Sequence, residues 1–112
     1  SLEGALRTRS RGLPVEFPGW SRVVPFLARA HVVLSTSRAE SFGASVVEAR
    51  LAGVPVVSLD VGVAREVGAY VVPPEKLAEA VIETLITSQK LSAPISVLSK
   101  EEWVKKWKES FL

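Results

Sequence analysis

Short apolar runs alternate along the chain with segments in which apolar positions recur at helical spacing. Two runs, at 31–35 and 54–59, are almost wholly apolar and rich in valine, which is typical of strands buried on both faces of a parallel sheet. Two shorter runs, at 15–17 and 69–72, are predicted as further strands. The pattern therefore predicts a parallel sheet of about four strands.

Helical segments are predicted on both sides of these runs. Gly53 ends one of them, and Ser99 with Glu102 has the spacing of a capping box that begins another. The predicted helices cover 2–9, 22–30, 43–52, 73–88 and 99–111, with a short helical turn at 62–67. Strands that alternate with helices predict an α/β fold, a three-layer Rossmann-like parallel sheet with flanking helices.

The chain divides into a domain at 1–88, a linker at 89–98 and an amphipathic C-terminal helix at 99–112. Trp103, Trp107 and Phe111 recur every four residues and therefore share one face of that helix. Two alternatives stay open, because this face can pack on the domain itself or on a partner.

The composition excludes several classes of site. The 112 residues fit one small domain, with 47% hydrophobic and 23% charged residues. Cysteine is absent and His31 is the only histidine, so neither a disulfide framework nor a thiolate or His-rich metal centre is expected. No apolar run approaches the roughly 20 residues of a membrane span. We expect a soluble, cytoplasmic protein.

Positive charge is concentrated in the first thirty residues, although the formal net charge is only +2. A basic patch can meet nucleic acid, anionic lipid or a phosphorylated ligand, whereas a solvated helix face is the simpler explanation. No nucleic-acid recognition motif accompanies these arginines, so a nucleic-acid partner is not expected. The arginines are Arg7, Arg9, Arg11, Arg22 and Arg29.

The loop at 36–43 joins a predicted strand to a predicted helix, and open α/β sheets bind ligands beyond the carboxyl ends of their strands. Gly43 allows close approach of the backbone to a ligand, and the first amides of the helix, at Ala44 and Ser45, can hold an anion. The chain contains neither a Walker lysine nor a G-x-G-x-x-G fingerprint. Taken alone, this loop is a weak indication of phosphate binding.

Glu48 strengthens the indication that the start of this helix binds a ligand. No residue three or four positions away along the helix is basic, so a helical ion pair does not explain the carboxylate. We expect Glu48 to lie beside an apolar stripe of Ala44, Val47 and Leu51, where a carboxylate is costly without a partner. A ribose diol would be a suitable partner; a partly exposed glutamate at the edge of the helix is the alternative.

The run Glu40-Ser41-Phe42-Gly43, followed by Glu48, resembles the E-x7-E motif of retaining glycosyltransferases with the GT-B fold and is most similar to the large family 4 group. The segments at 26–35 and 52–57 resemble the family on either side of the motif. The loop at 60–66 is also similar, although the family usually has two glycines there. The resemblance covers about 15–88 and implies part of a GT-B C-terminal, donor-binding domain.

In such enzymes the donor substrate is a nucleotide diphosphate sugar, with no cofactor or metal expected. The resemblance implies that Glu48 binds the ribose hydroxyls. It also implies that Glu40 is the catalytic residue, which faces the transferred sugar and binds its hydroxyls or stabilises positive charge at the anomeric carbon. The other substrate-binding residues that it implies are Ser41, Phe42, Gly43, Ala44 and Ser45. We add Arg38, which lies in the same loop and is the only nearby cation, as a partial substitute for the basic groups that the family uses at the diphosphate.

The family usually has two Rossmann-like domains and an Arg/Lys pair that neutralises the leaving diphosphate, and neither the acceptor domain nor that pair is found in this sequence. We therefore expect a partial domain that transfers sugar poorly by itself and works with an N-terminal acceptor domain or another chain. An open sheet edge would favour a homo-oligomer. The alternative function is a non-catalytic assembly module that self-associates through this edge and the aromatic C-terminal helix.

Overall fold

Three short parallel strands form the centre of the structure, a computed structural model that describes residues 1–87 and 99–109. The strands β1 (Val33–Ser35), β2 (Val56–Ser58) and β3 (Tyr70–Val71) lie in the order β1-β2-β3. Val33 pairs with Val56, and Val57 pairs with Tyr70. The predicted parallel sheet is therefore present.

Helices occur at close to the predicted positions. They are α1 (Leu2–Arg9), α2 (Val24–Arg29), α3 (Ala44–Leu51), α4 (Leu77–Thr87) and α5 (Lys100–Glu109), with a 3-10 turn at Pro74–Lys76 before α4. The connection from β1 to β2 runs through α3, α4 follows β3, and both of these helices contact β2. The prediction of a Rossmann-like α/β fold with a parallel sheet and flanking helices is confirmed.

The predicted number of strands is too high, because residues 15–17 do not form one. The Val15 amide donates to the carbonyl oxygen of Leu13 at 2.8 Å, which closes a local turn and takes the donor that a strand would need. The Val15 side chain is 49% exposed, so no core holds the segment extended. The described residues therefore have three strands, where about four were predicted.

The core lies on β2, whose three residues are all buried. Ser58 is a polar member of this strand, and its Oγ donates to the carbonyl oxygen of Leu59 at 2.8 Å, as a buried hydroxyl requires. Burial of β1 on both faces was also predicted and is wrong, because the Leu34 side chain is 46% exposed. Among the described residues, β1 has β2 as its only strand neighbour and lies at an edge.

Helix α3 turns a different face to the sheet from the one predicted. Its buried residues are Val46, Ala49 and Arg50, whereas Leu51 of the predicted stripe is 51% exposed. Ala49 has no accessible surface, and a small side chain there lets the helix axis approach the sheet closely. The stripe of Ala44, Val47 and Leu51 is therefore not the one that packs on the core.

Arg50 joins α3 to the turn that follows β2. Its side chain is only 4% exposed, and its Nε donates to the carbonyl oxygen of Val67 at 3.0 Å. The backbone passes so close that a Cβ on Gly68 would lie 3.5 Å from the Arg50 NH2 nitrogen. Because a buried charge requires hydrogen bonds, Arg50 fixes the position of this turn relative to α3.

The capping box at the start of α5 is confirmed. The Ser99 amide donates to Glu102 Oε2 at 2.7 Å, and the Glu102 amide donates to Ser99 Oγ at 3.2 Å. These bonds lower the pKa of the Glu102 carboxyl. The predicted linker at 89–98 and Phe111 lie outside the described residues, so the packing of the aromatic face stays a prediction.

Within the described ranges, no helix has the length and apolar character to cross a membrane.

We predict that Arg50→Met lowers the free energy of unfolding by about 1–3 kcal/mol. Methionine keeps an apolar stem but leaves the half-buried carbonyl of Val67 without the Nε donor. Arg9→Met, on the exposed face of α1, is the matched control and should change stability by less than about 0.5 kcal/mol. Urea unfolding followed by circular dichroism measures both, and equal midpoints for the two variants would contradict the role of Arg50.

Candidate functional site

The carboxyl ends of the three parallel strands lie at one edge of the sheet, and a different loop leaves each of them. The loop at 36–43 follows β1, the loop at 59–69 follows β2, and residues 72–74 follow β3. Ligands of open α/β sheets bind at this edge. The predicted motif loop, 40–43, is therefore at the edge where a ligand site is expected.

Gly43 makes the transition from the motif loop to α3. Its backbone is left-handed, with φ 90° and ψ 56°, a conformation that favours glycine. Its carbonyl oxygen accepts from the amides of Val46 and Val47 at 3.1 and 3.3 Å. Glycine has no side chain to cap the helix, so the amides of Ala44 and Ser45 in the first turn are oriented to receive a ligand anion.

The turn after β2 holds the motif loop in place. The Val63 amide donates to the carbonyl oxygen of Phe42 at 2.9 Å. Gly62 packs against the same peptide, and a Cβ there would overlap the Phe42 oxygen and lie 2.7 Å from its carbonyl carbon. Only glycine fits this approach, because φ at Gly62 is also positive, at 51°. The resemblance included Gly62, but the sequence did not indicate that it supports the motif.

Both motif glutamates are exposed. Glu40 lies in the loop before α3, and Glu48 is in the middle of α3, about 6 Å along the axis from Ala44. The buried residues Val46 and Arg50 lie on the opposite side of the helix from Glu48. The expectation that burial forces Glu48 to find a partner is therefore wrong, and its role in ribose binding stays a prediction that rests on the resemblance.

The remaining predicted substrate-binding residues lie in two separate places. Ser41, Phe42, Ala44 and Ser45 are exposed around the start of α3, next to the backbone of Gly43. Arg38 is exposed as well, but it lines a cavity on the side of the sheet edge towards β3. The structure thus groups residues 40–45 at one helix end and places Arg38 in a neighbouring space.

This neighbouring space, the carboxyl-end cavity, has a volume of about 410 Å³, within the range of ligand sites. It takes its walls from the loops that follow all three strands. Its lining residues are Arg38, Leu59, Asp60, Val61, Arg65, Val71, Val72, Pro73 and Pro74. The lining is therefore mostly apolar and includes two guanidinium groups and one carboxylate.

Asp60 and Arg65 form an ion pair in this cavity, and neither was predicted as a site residue. Arg65 NH2 lies 2.9 Å from Asp60 Oδ2, and its Nε donates to Oδ1 at 3.4 Å. The hydrogen bond and charge of Arg65 hold the pKa of the Asp60 carboxyl below its usual value. The signal in the sequence was their position after a buried strand, at the edge that also carries the motif.

The described residues contain no cluster of three or more histidine, aspartate or glutamate side chains that could hold a metal ion. The charged groups at this edge of the sheet are instead the exposed carboxylate of Glu40 and the carboxylate and guanidinium groups of the cavity. This combination suits a ligand that has both hydroxyl groups and an anionic group.

Comparison with known proteins identifies one family. The model of the family described as glycosyl transferases group 1 matches residues 2–87. The matched stretch includes the whole sheet, the motif loop, α3 and the carboxyl-end cavity. No curated protein and no solved structure matches the chain.

We predict that Gly62→Ala displaces the motif loop, whereas Gly53→Ala does not. Both substitutions put a Cβ on a residue with positive φ, 51° and 76°, at a cost of about 1–2 kcal/mol. Only the Cβ at 62 meets Phe42; the one at 53 has no atom within 4 Å. Amide chemical shifts of residues 40–45 should move in the Gly62 variant alone. Shifts there that stay unchanged in both variants would contradict the support of the loop by Gly62.

Proposed function

Because the chain belongs to the glycosyl transferases group 1 family, we propose that it carries the donor site of a retaining glycosyltransferase. In this reaction a sugar moves from a nucleotide diphosphate to an acceptor. One observation carries the proposal: the motif loop with the exposed Glu40, held by the turn after β2, leads into the start of α3 at the carboxyl edge of the sheet, and Glu48 is exposed about one turn further along that helix.

Glu48 is the proposed ligand of the ribose. A carboxylate has two acceptor oxygens and can take one hydrogen bond from each hydroxyl of a vicinal diol. The Glu48 side chain is exposed, and no basic residue lies three or four positions away in α3. Its oxygens are therefore accessible to a diol that approaches from solvent.

Glu40 is the proposed catalytic residue. As the bond between the anomeric carbon and the diphosphate oxygen breaks, positive charge develops on the sugar and negative charge on the diphosphate. The carboxylate of Glu40 would bind the sugar hydroxyls or stabilise the positive charge, and the amino end of α3 favours the negative charge. Gly43 connects the motif loop that carries Glu40 to the amino end of α3, so the two groups lie at the same edge of the sheet.

The amides of Phe42, Gly43 and Ala44 are proposed to contact the sugar hydroxyls or the diphosphate, with Ser41 and Ser45 beside them. The Phe42 carbonyl points to Val63. The amide N–H of the next residue points the opposite way in a planar trans peptide. The Gly43 N–H is thereby directed away from the Val63 amide.

The acceptor is proposed to bind on an N-terminal domain or another chain, as the resemblance to enzymes with two Rossmann-like domains implies. Transfer by these 112 residues is then slow or absent. Binding of the donor nucleotide is therefore the property to measure on this chain.

We predict that the two glutamates affect binding of the donor differently. Glu48→Gln should weaken binding of a nucleoside diphosphate about tenfold, because it removes a charge-assisted hydrogen bond to the ribose. Glu40→Gln should weaken binding of a nucleotide sugar by a similar factor but leave the nucleoside diphosphate almost unchanged. Calorimetric titration with uridine, guanosine and adenosine ligands measures this difference. Glu75→Gln, at the turn before α4, is the control. Glu48→Gln should weaken both ligands, since they share the ribose, so equal losses of the two ligands in Glu40→Gln would contradict the separate roles.

A second candidate function is self-association without catalysis, and the exposed edge of β1 favours it. The Val33 amide donates to Pro55 at 2.8 Å, so in a parallel ladder the backbone groups of Leu34 point to the other side. The Leu34 side chain is also 46% exposed. A strand from another chain could pair there.

Solution mass and nucleotide affinity separate the two functions. A donor site predicts a monomer, measured by sedimentation equilibrium, that binds a nucleoside diphosphate. An assembly module predicts a stable oligomer without such affinity, which Leu34→Lys should dissociate by placing a charge at the edge strand. An oligomer that withstands this substitution would exclude the β1 edge as its interface.

A further inference from the structure

We propose that Arg50 is a positioning residue of the donor site. Its guanidinium group holds α3 and the turn after β2 in the relative position that lets the start of α3 and Glu48 bind one ligand. This inference rests on the donor site proposed above. It adds a functional consequence to the packing of Arg50, because affinity for the nucleotide then depends on a side chain that contacts no ligand.

A ring of hydrogen bonds connects Arg50 to the motif loop. Arg50 Nε donates to the carbonyl oxygen of Val67 at 3.0 Å. The Val67 amide donates to the carbonyl oxygen of Val63 at 3.0 Å, and the Val63 amide donates to that of Phe42 at 2.9 Å. Gly43 follows Phe42 and leads into α3, which carries Arg50. This Arg50 ring therefore begins and ends on α3.

Arg50 also restricts the direction in which Glu48 points. The two residues are about 200° apart around the helix, and Arg50 is buried whereas Glu48 faces solvent. Val46 and Ala49 hold α3 on the core by apolar contacts, which have no preferred direction. A hydrogen bond has a preferred distance and angle. The bond from Arg50 to the turn therefore restricts rotation of α3 about its axis, and with it the direction of Glu48.

The turn after β2 transmits the position of Val67 to its other end. The bond from the Val67 amide to Val63 spans most of the turn, and the Ala69 amide donates to the carbonyl oxygen of Ala64 at 2.9 Å. These bonds make the turn a compact unit. Loss of the bond from Arg50 would therefore displace Val63, and with it the Phe42 peptide at the start of α3.

Burial leaves Arg50 almost no surface for a ligand. Its side chain is only 4% exposed, and its guanidinium group lies against Gly68, where a Cβ would be 3.5 to 4.0 Å from three atoms of that group. The group is thus enclosed between α3 and the turn after β2. It can act on a ligand through the position of these two elements or through its positive charge, and variants of Arg50 separate the two.

Calorimetric titration of the full chain with uridine, guanosine and adenosine diphosphates tests the role of Arg50. Arg50→Met removes the Nε donor and should weaken the diphosphate that binds the wild-type chain about five- to tenfold. Gly53→Ala is the matched control at the end of the same helix, because its Cβ is strained by a positive φ of 76° but meets no atom within 4 Å. It should change the affinity by less than about twofold.

Arg50→Lys separates position from charge. Lysine keeps the positive charge but has a methylene group where arginine has Nε, so the Nε bond to Val67 is lost. We expect the affinity of Arg50→Lys to fall as far as that of Arg50→Met. Full affinity in Arg50→Lys would assign the effect to charge and overturn the positioning role.

Amide measurements on the free protein give a second readout, which a purely stabilising side chain would not change. Arg50→Met should shift the amide signals of residues 42–45, because the Arg50 ring is open. Hydrogen exchange at the Val63 and Val67 amides should become faster relative to the amides of β2. Gly53→Ala should show neither change. Unchanged signals at 42–45 in Arg50→Met, or equal changes in both variants, would overturn the proposal.

Failure of this inference differs from failure of the donor site. A nucleoside diphosphate that depends on Glu48 but binds Arg50→Met with unchanged affinity would support the donor site and overturn the positioning role. If no nucleoside diphosphate binds the wild-type chain, the donor site fails and the role of Arg50 in donor binding fails with it. Shifted signals at 42–45 in Arg50→Met would then still support the Arg50 ring as the structure that holds the motif loop.

Discussion

The contact between the turn after β2 and the Phe42 peptide is the constraint on which the candidate site depends. Gly62 lies against the Phe42 carbonyl, and the Val63 amide donates to its oxygen at 2.9 Å. Arg50 completes the arrangement, because it lies on α3 and bonds the far end of the same turn at Val67. The motif loop, α3 and the turn are thereby held to one another as well as to the sheet.

These contacts matter because the strands are short. β1 and β2 have three residues each and β3 has two, so few ladder hydrogen bonds hold the carboxyl edge in shape. Hydrogen bonds and close contacts between the loops add the rigidity that so few ladder hydrogen bonds cannot provide. They also leave the side chains of Glu40, Glu48 and Arg38 exposed to solvent, as a ligand site on a rigid scaffold requires.

The parallel sheet and the order of its elements were predicted from the sequence, whereas several specific contacts between elements were not. The capping box of Ser99 and Glu102 lies within four residues, and it formed as expected. The prediction of which face of α3 is buried was wrong, because the packing of Ala49 and the hydrogen bond from Arg50 to Val67 select the buried side. The ion pair of Asp60 and Arg65 was missed, since its importance comes from a cavity that three separate loops form.

The identity of the ligand at the start of α3 is the central claim, and residue-resolved chemical shift mapping tests it most directly. The isotopically labelled chain would be titrated with uridine, guanosine and adenosine diphosphates in turn. A donor site predicts that one of them shifts the amides of residues 42–45 and the side-chain carboxyl of Glu48, with saturation at a single affinity. No shift between residues 40 and 48 with any of the three would contradict it.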